Sequence, residues 1–357
     1  MKKFISVLLV LAMVVSMAAC GASAPAVPET NDSEMVIFTD DTGREVEVPA
    51  EISKIVPTGP LAQIMLYAIA PDMLVGLAAK WGEGAKGIVP EEYLNLPYFG
   101  QLYNTANLNV EELAMVGPQV IIDIGQGMPK GTEDMETLQQ QTNIPTVYIS
   151  SSLDTMPDTF RTLGKLLGRE EKAEELAKFC EEIFSRTTSI MEQVGDNKVN
   201  ALCVLGELGL NVLAKDSFQS ELVDMLTNNI AVVENPSGKG SGNEVTMEQI
   251  AVWNPDYVLF AADSIYDTVD TMDAWADITA IADGNYMKVP DGPHNWMGSP
   301  PAAQRYLGMI WVTAQLYPEY CDYDAKADVM KFYELFYDCQ LTEEQFNNLT
   351  KDAYIVK

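Results

Sequence analysis

The chain has 357 residues, 52 of them Asp or Glu against 22 Lys or Arg, for a formal net charge of −30 at pH 7. A surface this acidic argues against nucleic acid as a partner and is repelled by anionic lipid, so any membrane attachment must come from something other than charge. With one histidine and no CxxC or His-rich spacing, no resident metal or cofactor is expected.

The elements start with an export leader. Two lysines precede an apolar run over 4–15, and small residues lead up to Cys20, a pattern too short for a comfortable membrane span. Residues 21–34 are small, polar and Pro-containing, which suits a flexible tether. Alternation over 36–48 around Asp41-Thr42-Gly43 predicts a β-hairpin. A strand over 52–56 then ends at a Pro-Thr-Gly-Pro turn that opens a helix over 61–69. A strand over 75–78 leads into Lys80-Trp81-Gly82. Glu111 opens a short helix, a strand over 120–124 ends in Gly125-Gln126-Gly127, and a helix over 132–141 precedes a strand over 146–149. Strand alternating with helix predicts a parallel sheet covered on both faces.

A rod follows. Ala173, Leu176, Ala177, Cys180, Ile183, Phe184, Thr187, Ile190, Met191 and Val194 recur at steps of three and four, one apolar stripe with Glu and Lys opposite. About 25 residues at ~1.5 Å each give a helix roughly 37 Å long, enough to run along a whole small domain. Beyond it the spacing predicts a strand over 199–205, a helix over 217–227, a loop over 235–243, a helix over 271–281 and a strand over 287–289. A Pro/Gly loop holding His294 then gives way to an apolar helix from 300, an amphipathic helix over 324–339 and a short acidic helix after 341.

The stretches on either side of the rod are alike. VEELAMVGPQVIID from Val110 aligns without gaps with MEQIAVWNPDYVLF from Met247: Glu111 meets Glu248, Ala114 meets Ala251, and Pro118 meets Pro255. Each copy is a short helix, a Pro-marked turn and a buried strand. The expected fold class is α/β, two similar lobes with mostly parallel sheets, joined by one long helix, with a ligand cleft between them. The boundaries are a leader over 1–20, the tether over 21–34, lobes over 35–167 and 196–357, and the connecting helix over 168–195. Of the later cysteines, Cys180 and Cys203 suit buried apolar positions, whereas Cys321 and Cys339 can pair or stay free.

The hairpin DxxGRxVxVP from Asp40 to Pro49, the paired repeats and the helix between them resemble the substrate-binding lipoproteins of ABC importers. They look like the subgroup with a rigid inter-lobe helix, which serves ferric siderophores, haem, cobalamin and some metal oxyanions. Met17-Ala18-Ala19-Cys20 is similar to a lipobox, with Met17 where Leu is usual, so the resemblance implies lipid on Cys20. It also implies a location on the outer face of the bacterial cell membrane, a monomer, small closure on binding, and an ABC permease with its ATPase as partners. In that family an acid on each lobe docks into permease arginines, and the matching positions are Glu111 and Glu248. Either glutamate alone would equally complement its own helix start.

Ligand is expected at the carboxyl ends of the strands, between lobes. Candidates are Thr58, Trp81, Tyr98 and Gln126 on the first lobe and Glu207, Tyr266, His294, Trp296 and Arg305 on the second. The tryptophans can stack on a bulky chelate or serve as lobe core. His294 can donate to a ligand or face solvent, and Arg305 can pair with an anionic group or a surface acid. A metal-containing chelate of ferric-siderophore type fits this acidic chain better than a highly anionic catecholate. Haem, a corrinoid and a molybdate-type oxyanion remain alternatives. No catalytic residue is expected, since there is no GxSxG and a lone histidine. A sensor lipoprotein that presents ligand to a receptor is the rival binding role.

Overall fold

The computed structural model describes residues 34–101, 110–126, 131–298 and 300–356. The leader, Cys20 and the tether up to 33 lie outside the described residues. β1 (Met35–Thr39) and β2 (Glu45–Pro49) form the expected antiparallel hairpin. Asp40 at its turn bonds the Arg44 guanidinium at 2.7 Å, and the Arg44 Nη2 donates to the Thr146 carbonyl at 2.5 Å, which ties the hairpin to the first sheet.

That sheet is β3 (Ile55–Pro57), β4 (Val120–Gly125) and β5 (Thr146–Ser150), all parallel, in the order β3-β4-β5. Its helices are α1 (Pro60–Ile69), α2 (Glu91–Leu94), α3 (Val110–Val116) and α4 (Gly131–Thr142). Proline at the first turn of α1 is suited there because that N–H has no partner within the helix. α5 (Met156–Leu167) ends at Gly168 in the left-handed region, φ 63°, where glycine carries no Cβ penalty. α6 (Glu170–Val194) follows, 25 residues long, as the stripe predicts. The buried set matches the stripe except that Phe184 is only half-buried and Phe179 is buried instead.

The second half holds β6 (Asn200–Leu205), β7 (Asn211–Val212), α7 (Glu221–Leu226), β8 (Asn228–Asn229), β9 (Asn243–Glu244), α8 (Met247–Trp253), β10 (Tyr257–Phe260), α9 (Thr279–Ala282) and β11 (Tyr286–Lys288). The strands run β11-β10-β6-β7-β9, with β8 beside β6. β11, β10, β6 and β8 are parallel; β7 and β9 are antiparallel additions. α10 (Arg305–Leu316), α11 (Ala325–Tyr337) and α12 (Glu343–Thr350) complete the chain.

The repeat seen in the sequence is geometrical too. α3 ends at Gly117 and α8 at Asn254, aligned positions that are both left-handed, with φ of 62° and 42°. Gln119 N–H bonds the carbonyl of Lys54, before β3, and the aligned Asp256 N–H bonds that of Asn200, at the start of β6, at 2.9 and 3.0 Å. Ile121 and Val258 likewise bond the residues before β5 and β11, Pro145 and Asn285, at 2.9 and 3.1 Å. So β3, β4 and β5 correspond to β6, β10 and β11.

Alternation divides each sheet between two cores. Val120, Ile122 and Ile124, with Cys203, Leu205, Leu259 and Met287, enter one core shared by both halves and by α6. The opposite faces pack separately, Ile121 under Leu113 of α3, and Val258 and Phe260 with Ile250 of α8. The inner core is continuous across the halves, and the described residues from Met35 onward form one compact unit.

Some expectations need correction. Residues 75–78 form no strand: contact with β3 is limited to a bridge of Ile55 with Leu74 and the Val75 N–H on the Ile55 carbonyl, and Leu77 then bridges Tyr98 in a loop. The helix over 271–281 is reduced to a 3-10 turn at Val269–Thr271 and to α9, with Trp275 buried between them against Phe260. The helix over 217–227 is a 3-10 turn at Phe218–Ser220 followed by α7. The helix expected from Pro300 starts at Arg305. The cysteines need no correction: Cys180 and Cys203 are buried as expected, and of the two readings open for Cys321 and Cys339 the structure has the free one.

Candidate functional site

The two halves meet at the carboxyl ends of their parallel strands. The loop after Ala78 brings Trp81 against Tyr67 of α1, rings 5.2 Å apart and edge-on, and against His294, rings 5.4 Å apart. Trp81 and His294, one from each half, are thus in direct contact across the seam. The Trp81 Nε1 and the His294 Nε2 are both buried, with no hydrogen-bond partner among the described residues. Burial lowers the His294 pKa to about 4, so the imidazole is neutral at pH 7.

A second crossing lies at the floor. Leu153, just past β5, gives its N–H to Glu221 of α7 at 3.2 Å, and its carbonyl accepts from the Tyr306 hydroxyl at 2.6 Å. The other oxygen of Glu221 holds the Arg305 Nη1 at 2.5 Å. Arg305 is 0% exposed, and its Nε and Nη2 have no partner among the described residues. Burial lowers its pKa and Glu221 opposes that shift. A guanidinium fork with two unspent donors is chemically suited to an oxyanion or carboxylate.

The other residues singled out in the sequence are scattered. The Thr58 hydroxyl donates to Asp123 inside the first sheet, clipping β3 to β4. Tyr98 is 48% exposed with the Lys80 ammonium 5.3 Å from its ring centre, and Gln126 is exposed at the end of β4. Glu207 is exposed in the turn after β6. Tyr266 is half-buried, edge-on to Phe260 and Tyr286, and burial pushes its hydroxyl up to about 12. Trp296 is 0% exposed and packs edge-on to Trp311 in the shared core.

Two cavities open beside the seam. One of about 330 Å³ lies between the Gly84–Ile88 loop, the end of β11 and α12; Lys86, Lys288, Lys351 and Asp291 line it. The other, about 280 Å³, sits over the ends of β6 and β10, with Asp263, Asp291 and Asn295 in its wall. Burial, and then the nearby Asp263, raise the Asp291 pKa. Sequence reasoning missed these residues. Asp263 could have been found, since it follows the end of β10, and Asp291 shares the His294 loop; the lysines carried no signal. No cluster of three or more His, Cys, Asp or Glu suited to a metal occurs among the described residues.

The acids proposed for docking lie away from this seam on the outer helices. Glu111 of α3 and Glu248 of α8 are both exposed. Thr246 caps α8, its hydroxyl accepting from the Gln249 N–H at 3.2 Å while Gln249 Oε1 accepts from the Thr246 N–H at 2.9 Å. The Glu248 carboxylate is held below its ordinary range by its own N–H and by the Thr246 hydroxyl.

Residues 76–291, more than half the chain, match the family model of periplasmic binding proteins. The chain belongs to that family. Its members are extracytoplasmic solute-binding proteins. An ABC transporter solute binding protein from Sulfurospirillum deleyianum is 24% identical with TM-score 0.81, over 88% of this chain and 99% of that one. A periplasmic solute binding protein from Veillonella parvula is 25% identical with TM-score 0.75, over 89% and 98%. The molybdate periplasmic binding protein MolA of Haemophilus influenzae, bound to molybdate, is 19% identical with TM-score 0.71, over 86% and 99%. No curated protein matches the chain. Among the described residues no helix is long and apolar enough to cross a membrane.

Proposed function

We propose that this periplasmic binding protein is the lipid-anchored capture subunit of an ABC importer. It takes a metal-containing chelate, of ferric-siderophore type first, into the seam between its halves and hands it to the permease. The observation that carries the reading is the geometrical repeat: each half turns its strand ends to a common seam and presents one exposed acid, Glu111 or Glu248, on equivalent helices. Charge pairs of that kind steer docking and fix orientation. Lipid on Cys20 holds the chain at the outer face of the cell membrane, and residues 21–34 give it reach.

Within the seam, Trp81 with His294 forms the wall that a bulky ligand meets, and exposed Tyr98, Gln126 and Glu207 remain candidates for contacts from the loops around it. Thr58, Tyr266 and Trp296 are packed within their own halves and serve the scaffold in this reading. One core running through both halves favours small closure on binding. An oxyanion is the second reading, favoured by the two unspent donors of buried Arg305.

The test is a tryptophan-fluorescence titration of residues 35–357 with a ferric hydroxamate chelate, haem, cobalamin and molybdate. Binding of the ferric chelate tighter than about 10 μM, near −7 kcal/mol, is expected. Tighter molybdate binding, lost in Arg305→Met, would select the second reading; no binding by any of the four would overturn both.

A further inference from the structure

The two outer helices share more than an acid. Among the described residues the two most exposed large apolar side chains are Val252, at 83%, and Met115, at 80%, ahead of Leu208 at 73%. They occupy the same position in the two repeats, five residues after the start of α3 and of α8. Each lies four residues beyond its exposed glutamate and next to an exposed alanine: Glu111, Ala114 and Met115 on one helix, Glu248, Ala251 and Val252 on the other. Residues at such spacing share a helix face. The opposite face is anchored at matching positions too, by Leu113 and Ile250, each 0% exposed. The helices are therefore set firmly in the body of the protein, with an acid and an apolar knob turned outward.

A single exposed apolar residue needs no explanation, because folded surfaces carry many. Two at aligned positions, each beside an aligned acid, are a repeated surface. We infer that Met115 and Val252 are apolar knobs which enter two equivalent sockets on the permease, each socket rimmed by the cations that pair with Glu111 and Glu248. This rests on the importer reading and adds to it a contact that salt does not screen. Charge selects the occupant. A second copy of a chain with net charge −30 would bring glutamates against glutamates, and an anionic lipid surface would repel the same faces. A partner carrying two copies of one basic-rimmed apolar socket meets both faces at once, and joining two modest contacts raises affinity well above either.

The experiment uses the full chain, its importer reconstituted in phosphatidylcholine nanodiscs, and empty nanodiscs. Affinity is measured at about 50 and about 500 mM NaCl, where screening lengths differ severalfold. Met115→Ser with Val252→Ser is expected to weaken importer binding at least about tenfold at both salt concentrations, with solute affinity unchanged. Glu111→Gln with Glu248→Gln should instead lose most at low salt. Equal affinity of the serine variant and the parent chain would overturn the knobs while leaving the importer reading intact. Failure of the parent chain to bind the importer would overturn both. Binding of the parent chain to empty nanodiscs, or its self-association, abolished by the serine pair would assign the knobs to lipid or to a second copy and overturn the proposal.

Discussion

The first and second sheets are built from the same three parallel strands, yet they treat their polar groups differently. In the first, Asp123 is buried and receives the Thr58 hydroxyl, so the acid serves the sheet. In the second, Asp263 and Asp291 line a cavity over the strand ends, and His294 reaches across to Trp81. The second sheet also carries the antiparallel additions β7 and β9. What the halves share is scaffold and an outer helix with one exposed acid; where they depart from each other is the seam. A duplicated fold can thus be read by subtraction, with the unmatched polar residues pointing to the ligand.

The sharpest way to break the comparison is to truncate the paired anchors. Leu113→Ala and Ile250→Ala each remove a fully buried side chain beneath an outer helix, and each should cost about 2–5 kcal/mol in urea unfolding. Similar values would support equivalence, and a cost at only one site would show that one helix is merely draped on its sheet. The next effect belongs to the seam alone. The folded His294 pKa is lowered from 6.5 to about 4, so between those values the unfolded chain binds more protons than the folded one. The stability this gives is complete above pH 6.5 and is lost as pH falls through 4. With its partial exposure discounted it amounts to roughly 2 kcal/mol, and His294→Asn should flatten the stability profile across that window. Smallest is the turn pair: Gly117→Ala should cost about 1 kcal/mol at its left-handed position, whereas Asn254→Gly should be neutral or slightly stabilising.

Much of this frame was legible in the residues. Fourteen aligned positions, a proline in each copy and a stripe of period 3.6 were enough for the paired halves and the long helix, since local patterns and long-range packing agree there. Phe179 escaped because the stripe of one helix does not show its second neighbour: α11 packs Phe332 and Phe336 against it. The helix expected over 271–281 failed because Trp275 and Ile278 are buried from a chain of turns, so tertiary packing overrides the apparent period. At the seam, Trp81 and His294 could be nominated one by one, but their contact depends on two loops more than 200 residues apart in sequence. Lys86, Lys288 and Lys351 converge on one cavity from three separate elements, and no spacing announces it.

The most direct measurement of the central claim is solute uptake by cells carrying Glu111→Ala, Glu248→Ala or both, alongside solute affinity of the purified variants. Two equivalent docking faces predict that each single change weakens uptake, that the pair abolishes it, and that affinity for the solute stays at the parent value throughout. Full uptake by the double variant, or loss of solute affinity in it, would contradict a chain whose halves hold a solute between them and face one membrane partner together.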